Sequence, residues 1–317
     1  MNQKTNSVCP VCGSSGEHEQ SLHKADGSNP KAYDYHRCHE CGLLYQHPMP
    51  STGEIAGFYP DTYPVYVEPT RIEFDERERK TLRNMGYQLP AGKGSKKLST
   101  RLRGAKPVSD VIPFVANGRV LDIGCANGEY LLRLKSIGWN CQGVEFNSKA
   151  VAIARAYGLD VFHGGLLEAG FEADSFDFVT SHHHIEHEPD PGKIMAEIAR
   201  ITKPGGVVLI RTPNNAALGR RWFGEHWFPN RVPEHLLLFS DKSLHALATK
   251  YGLVLRQRYK PVEYKLVLKS LDLKSNTYHE GKTYGKLKKW LARLYIPAAR
   301  LVGQGDELFS IYAKPAD

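Results

Sequence analysis

Residues 120 to 131, Val-Leu-Asp-Ile-Gly-Cys-Ala-Asn-Gly-Glu-Tyr-Leu, constrain the fold more than any other stretch of the chain. An apolar run meets a helical pattern across a glycine-spaced turn. Val120, Leu121 and Ile123 make a buried strand, and Leu131, Leu132 and Leu134 begin an apolar helix face. Gly124 and Gly128 lack the β-carbon that would hold a ligand away from the backbone. The helix N-terminus is expected to face that ligand. A strand, turn and helix of this kind belong to an α/β domain with a nucleotide-type turn.

The dinucleotide fingerprint G-x-G-x-x-G requires three spaced glycines, and counted from Gly124 the second and third positions hold Ala126 and Glu129. That disfavours a bound pyrophosphate. An acidic residue, Glu145, nonetheless ends the next apolar run, Gly143-Val144-Glu145-Phe146, where a carboxylate accepts both ribose hydroxyl protons. Ribose without pyrophosphate points to S-adenosylmethionine.

Asp122-x-Gly124-x-x-x-Gly128, Glu145, Phe176-Asp177-Phe178-Val179 and Lys203-Pro204-Gly205-Gly206 then follow in the order found in class I S-adenosylmethionine-dependent methyltransferases, which the chain resembles over roughly residues 108 to 260 and its final strand. The resemblance implies a Rossmann-like, doubly wound seven-stranded sheet with an antiparallel last strand. It assigns Asp122, Gly124, Gly128 and Glu145 to the cofactor, and Gly165 and Leu166 of the Gly164-Gly165-Leu166-Leu167 turn to the neighbourhood of the adenine. Cys125, Phe146 and His182, which adjoin these motifs, complete the expected cofactor set.

Near the start, Cys9-Pro-Val-Cys12 and Cys38-His-Glu-Cys41 are two C-x-x-C knuckles 25 residues apart, each followed by a glycine, Gly13 or Gly42. Two thiolates from each knuckle complete a tetrahedral Zn2+ site with no open position, so the metal is expected to be structural. Two disulfides are the competing reading. It is disfavoured because Cys125 and Cys141 sit unpaired in the strand–turn core and no apolar signal core stands at the N-terminus. The expected location is therefore the cytoplasm. With 41% apolar and 24% charged residues and no long apolar run, the composition is that of a soluble protein rather than a membrane-spanning one. The formal net charge of +8 is compatible with nucleic acid, phosphorylated substrates or an anionic membrane face, and also with a merely solvated surface.

The expected organisation is a zinc ribbon over 1–50, an aromatic and basic connector over 51–107, and the methyltransferase domain over 108–317 with an insertion at 261–305. Within the connector, Pro90 to Lys97 reads as a mobile linker or lid. Tyr59, Tyr63 and Tyr66 are candidates to line an acceptor pocket or to pack between domains. The insertion carries Lys286, Lys288, Lys289, Trp290, Leu291, Leu294, Tyr295 and Ile296, a basic amphipathic helix. Its apolar side is expected to cover the core or a dimer partner, with lipid contact as the alternative.

Ser181-His182-His183-His184-Ile185-Glu186-His187 follows the fourth strand, where a parallel sheet opens toward its ligand. Histidine suits removal of a proton from a methyl acceptor. His183 or His182 is expected to be the base, with Glu186 and His187 holding the loop. The same stretch resembles the ubiquinone-biosynthesis O-methyltransferases, whose Glu-x-x-Glu-His motif holds a divalent cation; here His183 stands where the first glutamate would be. That resemblance implies a second divalent metal at His183, Glu186 and His187, although the substitution argues against magnesium. After the fifth strand, Thr212-Pro213-Asn214 and Pro233-Glu234-His235-Leu236 resemble further family segments. They make His235 a second base candidate and Asn214, His226 and Trp227 candidate acceptor contacts, against a role in loop packing.

A ribbon, a connector and such a core together resemble a bacterial group that acts on sugars, glycans and specialised metabolites. The reading that follows is O-methylation of a sugar, nucleotide-linked sugar, glycan or related metabolite. Two other readings stand beside it: an RNA methyltransferase whose ribbon reads structured RNA, and a non-catalytic scaffold that keeps the fold to bind a partner. The oligomeric state is not legible in the sequence.

Overall fold

The computed structural model describes residues 7–24, 31–59, 67–89, 111–279 and 281–316. In chain order the elements are β1 (Ser7–Val8), β2 (Ser15–His23), β3 (Ala32–Cys38), β4 (Leu44–Gln46), α1 (Thr52–Ala56), α2 (Glu76–Asn84), β5 (Arg119–Ile123), α3 (Glu129–Lys135), β6 (Asn140–Glu145), α4 (Ser148–Ala156) and β7 (Asp160–His163). They continue with β8 (Phe176–His182), α5 (Pro191–Ile201), β9 (Thr202–Pro213), α6 (Leu218–Phe223), β10 (Leu237–Leu238), α7 (Asp241–Lys250), β11 (Val254–Tyr259), α8 (Tyr264–Lys274), α9 (Lys286–Arg293), α10 (Tyr295–Leu301) and β12 (Glu307–Ala313).

The larger sheet has seven strands in the order β11-β12-β9-β8-β5-β6-β7. It is mixed: β5, β6 and β7 pair in parallel, whereas β11 and β12 pair antiparallel. This is the Rossmann-like arrangement the motif order implied. The smaller sheet runs β1-β2-β3-β4-β10, so a strand from the second half of the chain completes the sheet of the cysteine-bearing segment. β10 joins through Leu237 opposite Tyr45 and Leu238 opposite Leu44.

By their internal contacts the residues gather into two compact units. One comprises Met1–Pro64, Ser181–Ala199 and Ile210–Ala313, and the other Val65–Thr180, Arg200–Leu209 and Lys314–Asp317. The first therefore holds the cysteine knuckles together with the histidine-bearing segments. Its core includes Leu22, Tyr33, Tyr35, Leu44, Val232 and Leu238, so the ribbon packs on the segment that precedes α7. The second holds the glycine turn and Glu145. Within it, α2 starts from an Asp75 cap and lies against α3, with the Arg133 guanidinium over the Phe74 ring and an ion pair between Arg133 and Glu78. The charged character of residues 71 to 107 hid this helix, because its Glu and Arg residues pair with each other and with α3.

Candidate functional site

In the second unit the turn after β5 is built as the glycine spacing demands. Gly124 has φ 71° and Gly128 φ 77°, and the amides of Gly124 and Cys125 both reach the Val144 carbonyl, at 2.9 and 3.1 Å. A β-carbon on Gly128 would sit 2.3 Å from Leu159, so this glycine serves the packing of α4 as much as any ligand. Cys125 turns its thiol inward against Gly143, and burial pushes that thiol well up. Asp122 is buried and accepts a hydrogen bond from the Thr180 hydroxyl at 2.7 Å.

Glu145, at the end of β6, accepts hydrogen bonds from the amides of Ala126 and Asn147, each at 2.9 Å. One carboxylate oxygen thus binds each side of the turn, and each keeps a further lone pair for a hydroxyl donor. The Gly164 amide donates to the Glu145 carbonyl at 3.0 Å, which ties the 164–167 turn to the same strand end. Leu166 buries its side chain there, whereas Leu167 and Phe146 are each 50% exposed. The apolar face open beside Glu145 therefore comes from Phe146 and Leu167 rather than from the Leu166 side chain. These groups fit a nucleoside with a ribose diol.

In the first unit the histidines following β8 divide into two environments. His183 has φ 52°, a left-handed conformation costly for a side chain with a β-carbon, and its amide is held by the Arg211 carbonyl at 2.8 Å. Its ring lies between two carboxylates: Nδ1 is 3.3 Å from Glu186 and Nε2 is 3.3 Å from Glu307. Burial opposes the charged ring, but hydrogen bonds and charge from Glu186 and Glu307 outweigh it and raise the His183 pKa to about 9. Glu186 is fully buried and also accepts from the Thr212 hydroxyl at 2.9 Å. Burial would raise its pKa, yet the His183 hydrogen bond and charge bring it down to about 2. Glu307 is held in turn by the Arg211 guanidinium. His183 is thus an imidazolium at neutral pH, the wrong state for a general base.

His187 and His235 behave in the opposite way. Burial pushes the pKa of each down, and His235, which also feels His187, falls well below the usual histidine range. The rings meet edge to face with centroids 4.8 Å apart. His235 Nδ1 lies 2.8 Å from the Pro229 carbonyl, so this nitrogen carries the proton and Nε2 keeps its lone pair. His187 Nδ1 lies 2.8 Å from the Glu234 carbonyl and 2.6 Å from the Tyr59 hydroxyl. Glu186, His187 and His235 bring one ligand atom each to within 4.8 Å of one another. The trio that converges therefore contains His235 in place of His183, whose nitrogens both face carboxylates.

The remaining predicted contacts fall in packing positions or outside the rim. Trp227 is only 1% exposed, and a β-carbon on Gly219 would meet its Nε1 at 2.8 Å, so it is wedged in the core and not open to an acceptor. Asn214 is buried, its side-chain amide donating to the Gly305 carbonyl at 2.7 Å and its oxygen accepting from Ala216 at 3.1 Å. His226 is partly exposed beside Glu225. His182 ends β8, partly buried. Tyr63, Tyr66 and the Pro90 to Lys97 segment lie outside the described residues. Sequence reasoning missed Glu307 and Arg211, and it noted Thr212 only within the Thr212-Pro213-Asn214 segment, not as a partner of Glu186. The one available signal for the first was an acidic residue opening an otherwise apolar last strand.

The four knuckle sulfurs gather at one point: Cys9 and Cys41 are 3.6 Å apart and Cys12 and Cys38 are 3.4 Å apart. A tetrahedron of metal–sulfur bonds of about 2.3 Å has an edge of about 3.8 Å, whereas disulfide sulfurs are about 2.0 Å apart. All six cysteines are free, so the disulfide alternative is excluded and the group can hold a metal ion. Gly13 and Gly42, with φ 77° and 71°, let their amides return to the Cys9 and Cys38 carbonyls at 3.0 and 3.1 Å. The second knuckle also reaches the segments beside His235. Asn215 donates to the Gly42 carbonyl and the Ser240 hydroxyl to the Cys41 carbonyl, both at 2.9 Å, and the Tyr35 hydroxyl donates to the His235 carbonyl at 2.5 Å.

A glycine turn with a carboxylate at the end of the next strand, on a mixed seven-stranded sheet of this order, is the arrangement of S-adenosylmethionine-dependent methyltransferases. The family model described as a methyltransferase domain matches residues 96–258, just over half the chain, and the chain belongs to that family, within class I. Membership places it among enzymes rather than binding scaffolds. It is 35% identical over 157 residues to the ubiquinone biosynthesis O-methyltransferase of Aromatoleum aromaticum, covering 44% of this chain and 64% of that protein. Against the same-named protein of Thiobacillus denitrificans it is 31% identical over 137 residues, covering 35% and 56%. The chain thus spans less than two thirds of the length of these curated relatives. Among solved structures, an S-adenosylmethionine-dependent methyltransferase from Archaeoglobus fulgidus matches with a TM-score of 0.44 and 20% identity, over 62% of this chain and 86% of that one. No helix among the described residues is long and apolar enough to cross a membrane.

Proposed function

We propose that the chain transfers a methyl group to an oxygen of a small molecule, a sugar, nucleotide-linked sugar, glycan or related metabolite, with His235 as the base. The carrying observation is the state of His235: buried, neutral and committed by its Nδ1 proton to the Pro229 carbonyl, which leaves Nε2 to accept a proton. S-adenosylmethionine supplies a methyl group already activated on a sulfonium. Glu145 would hold its ribose, and the exposed Phe146 and Leu167 would offer an apolar face to its base. His235 Nε2 would take the proton from an acceptor hydroxyl, leaving its oxygen able to accept the methyl group that the bound cofactor would supply. His183, held as a cation with both ring nitrogens committed to Glu186 and Glu307, fixes the loop after β8 rather than contacting the acceptor. His187 orients the His235 ring edge to face, and Tyr59 holds His187.

Oxygen as the acceptor atom draws support from the relatives named as O-methyltransferases. The sugar class rests on the likeness of the ribbon-plus-core arrangement to that bacterial group. The four-cysteine group is read as a structural zinc site with all four positions filled by protein. The reading is tested by transfer of labelled methyl from S-adenosylmethionine into fractionated cell extract, with and without ribonuclease. Label in ribonuclease-resistant small molecules supports it, and label that disappears with RNA transfers the assignment to the RNA reading.

A further inference from the structure

The helix pair that precedes the last strand turns its apolar side away from the protein. Leu287, Trp290, Leu291 and Leu294, at the i, i+3, i+4, i+7 spacing of one helix face, are 70%, 57%, 52% and 55% exposed. Leu301 and Val302 at the end of α10 are also exposed. The opposite side is anchored: Ala292, Tyr295 and Ala299 bury against Leu218, Val267 and Leu268. The Tyr295 hydroxyl donates to Asp306 at 2.6 Å and Lys288 pairs with Asp272 at 2.8 Å. The expectation that this stripe covers the core is therefore reversed. The core side of the pair is made of small and aromatic residues, and the leucines and tryptophan face outward.

Residues 281 to 305 contain six cations, Lys282, Lys286, Lys288, Lys289, Arg293 and Arg300, and no aspartate or glutamate. At 100° per residue, Lys286 and Arg293 fall directly beside Trp290 on the flank of the stripe, with Lys289 next to them. We propose that this face docks on an anionic phospholipid surface, the leucines and Trp290 entering the headgroup–acyl boundary and the lysine and arginine row meeting lipid phosphates. Charge selects this occupant. A second copy would set the Lys286, Lys289 and Arg293 row against its own like charges, and a nucleic acid would leave the leucine stripe in water. An indole and three leucines flanked by Lys286, Lys289 and Arg293, with the one acidic partner, Asp272, engaged by Lys282 and Lys288, match an apolar layer beneath a sheet of phosphates.

The test is flotation of the full zinc-loaded chain with vesicles of phosphatidylcholine alone and of phosphatidylcholine containing phosphatidylglycerol. Expected are at least about tenfold stronger partition onto the anionic vesicles, a decline with added salt, and loss of most binding in the Leu287→Ser, Trp290→Ser, Leu291→Ser triple variant. Lys286→Gln, Lys289→Gln and Arg293→Gln together should abolish the anionic preference. All these side chains lie largely at the surface, and an unchanged urea midpoint and unchanged S-adenosylmethionine affinity verify that each variant is folded. Absence of wild-type partition overturns the proposal, as does partition undiminished in the triple apolar variant. A concentration-dependent dimer broken by that variant assigns the face to a second copy and also overturns it.

Discussion

Glu186 offers the sharpest test of the charge network, because it is fully buried and its carboxylate is matched by His183, with Thr212 as a neutral donor. Replacing it by glutamine keeps the volume and the acceptor for Thr212 but removes the charge facing the His183 ring. The carboxyl pKa falls from 4.5 to about 2 in the fold, which at about 1.4 kcal/mol per unit corresponds to ~3 kcal/mol. His183 is 41% exposed, so solvent screens part of this attraction, and about half, ~1.5–2 kcal/mol, is the expected cost of Glu186→Gln near pH 6. The raised pKa of His183 is the same attraction seen from its partner and is counted once.

The signs define the window. The depressed carboxylate contributes stability that is present above its unfolded pKa, about 4.3, and is lost as pH falls toward 2. The raised histidine contributes stability present below its unfolded pKa, about 6.5, and lost as pH rises through about 9. The gap between wild type and variant should therefore be widest between about pH 5 and 6.5, shrink as pH rises from about 6.5 toward 9, and be small above that. Urea unfolding across pH 5 to 10 measures it. A gap under ~0.5 kcal/mol, or one that does not change with pH, refutes the ion pair.

Three further outcomes are expected. Glu145→Ala should weaken S-adenosylmethionine binding by roughly ten- to a hundredfold, the worth of charge-assisted bonds to a diol, as read by calorimetry; unchanged affinity removes the ribose assignment. His235→Ala should lower the methyl-transfer rate by ~10²–10⁴-fold at unchanged cofactor affinity, and because burial holds His235 well below the usual range, the wild-type rate should stay flat through neutral pH and decline only in acid. A variant that transfers methyl at the wild-type rate returns the base to another residue. Chelation of the four-cysteine site should abolish methyl transfer and expose thiols to a thiol reagent while S-adenosylmethionine binding persists, since β10 and the ribbon share a sheet; transfer that survives complete metal removal disproves the coupling.

The turn at 120 to 131 and the cysteine knuckles were legible because their chemistry is local: a positive φ requires glycine within a few residues, and two thiols on one turn require a fixed spacing. The order of strands from β5 to β9 was legible from alternating periodicity. The polar environment of each histidine was not. His183, His187 and His235 look alike as letters, and what separates them is Glu307 at the start of β12, the Pro229 and Glu234 carbonyls, and Tyr59, all distant or backbone groups. The amphipathic pattern of α9 was visible, but its direction was not, because periodicity shows that a helix has an apolar side without showing which way that side faces.

The two-residue strand β10 is too short to leave any periodic signal, yet it decides the position of His235. Leu236 and Leu237 are fixed by the ribbon, the Leu236 carbonyl accepting from Gln46 at 2.9 Å and Leu237 pairing with Tyr45. The residue just before them is His235, its own carbonyl held by Tyr35. The chain on the other side of β10 runs through Ser240, which caps α7 and binds the Cys41 carbonyl. A histidine base carried on a free loop would sample many ring orientations, each reducing the fraction of time Nε2 faces a substrate proton. Anchoring both flanks to the cysteine knuckle removes that freedom, so that with His235 as the proposed base the ribbon acts by positioning it, without contact with the reacting atoms.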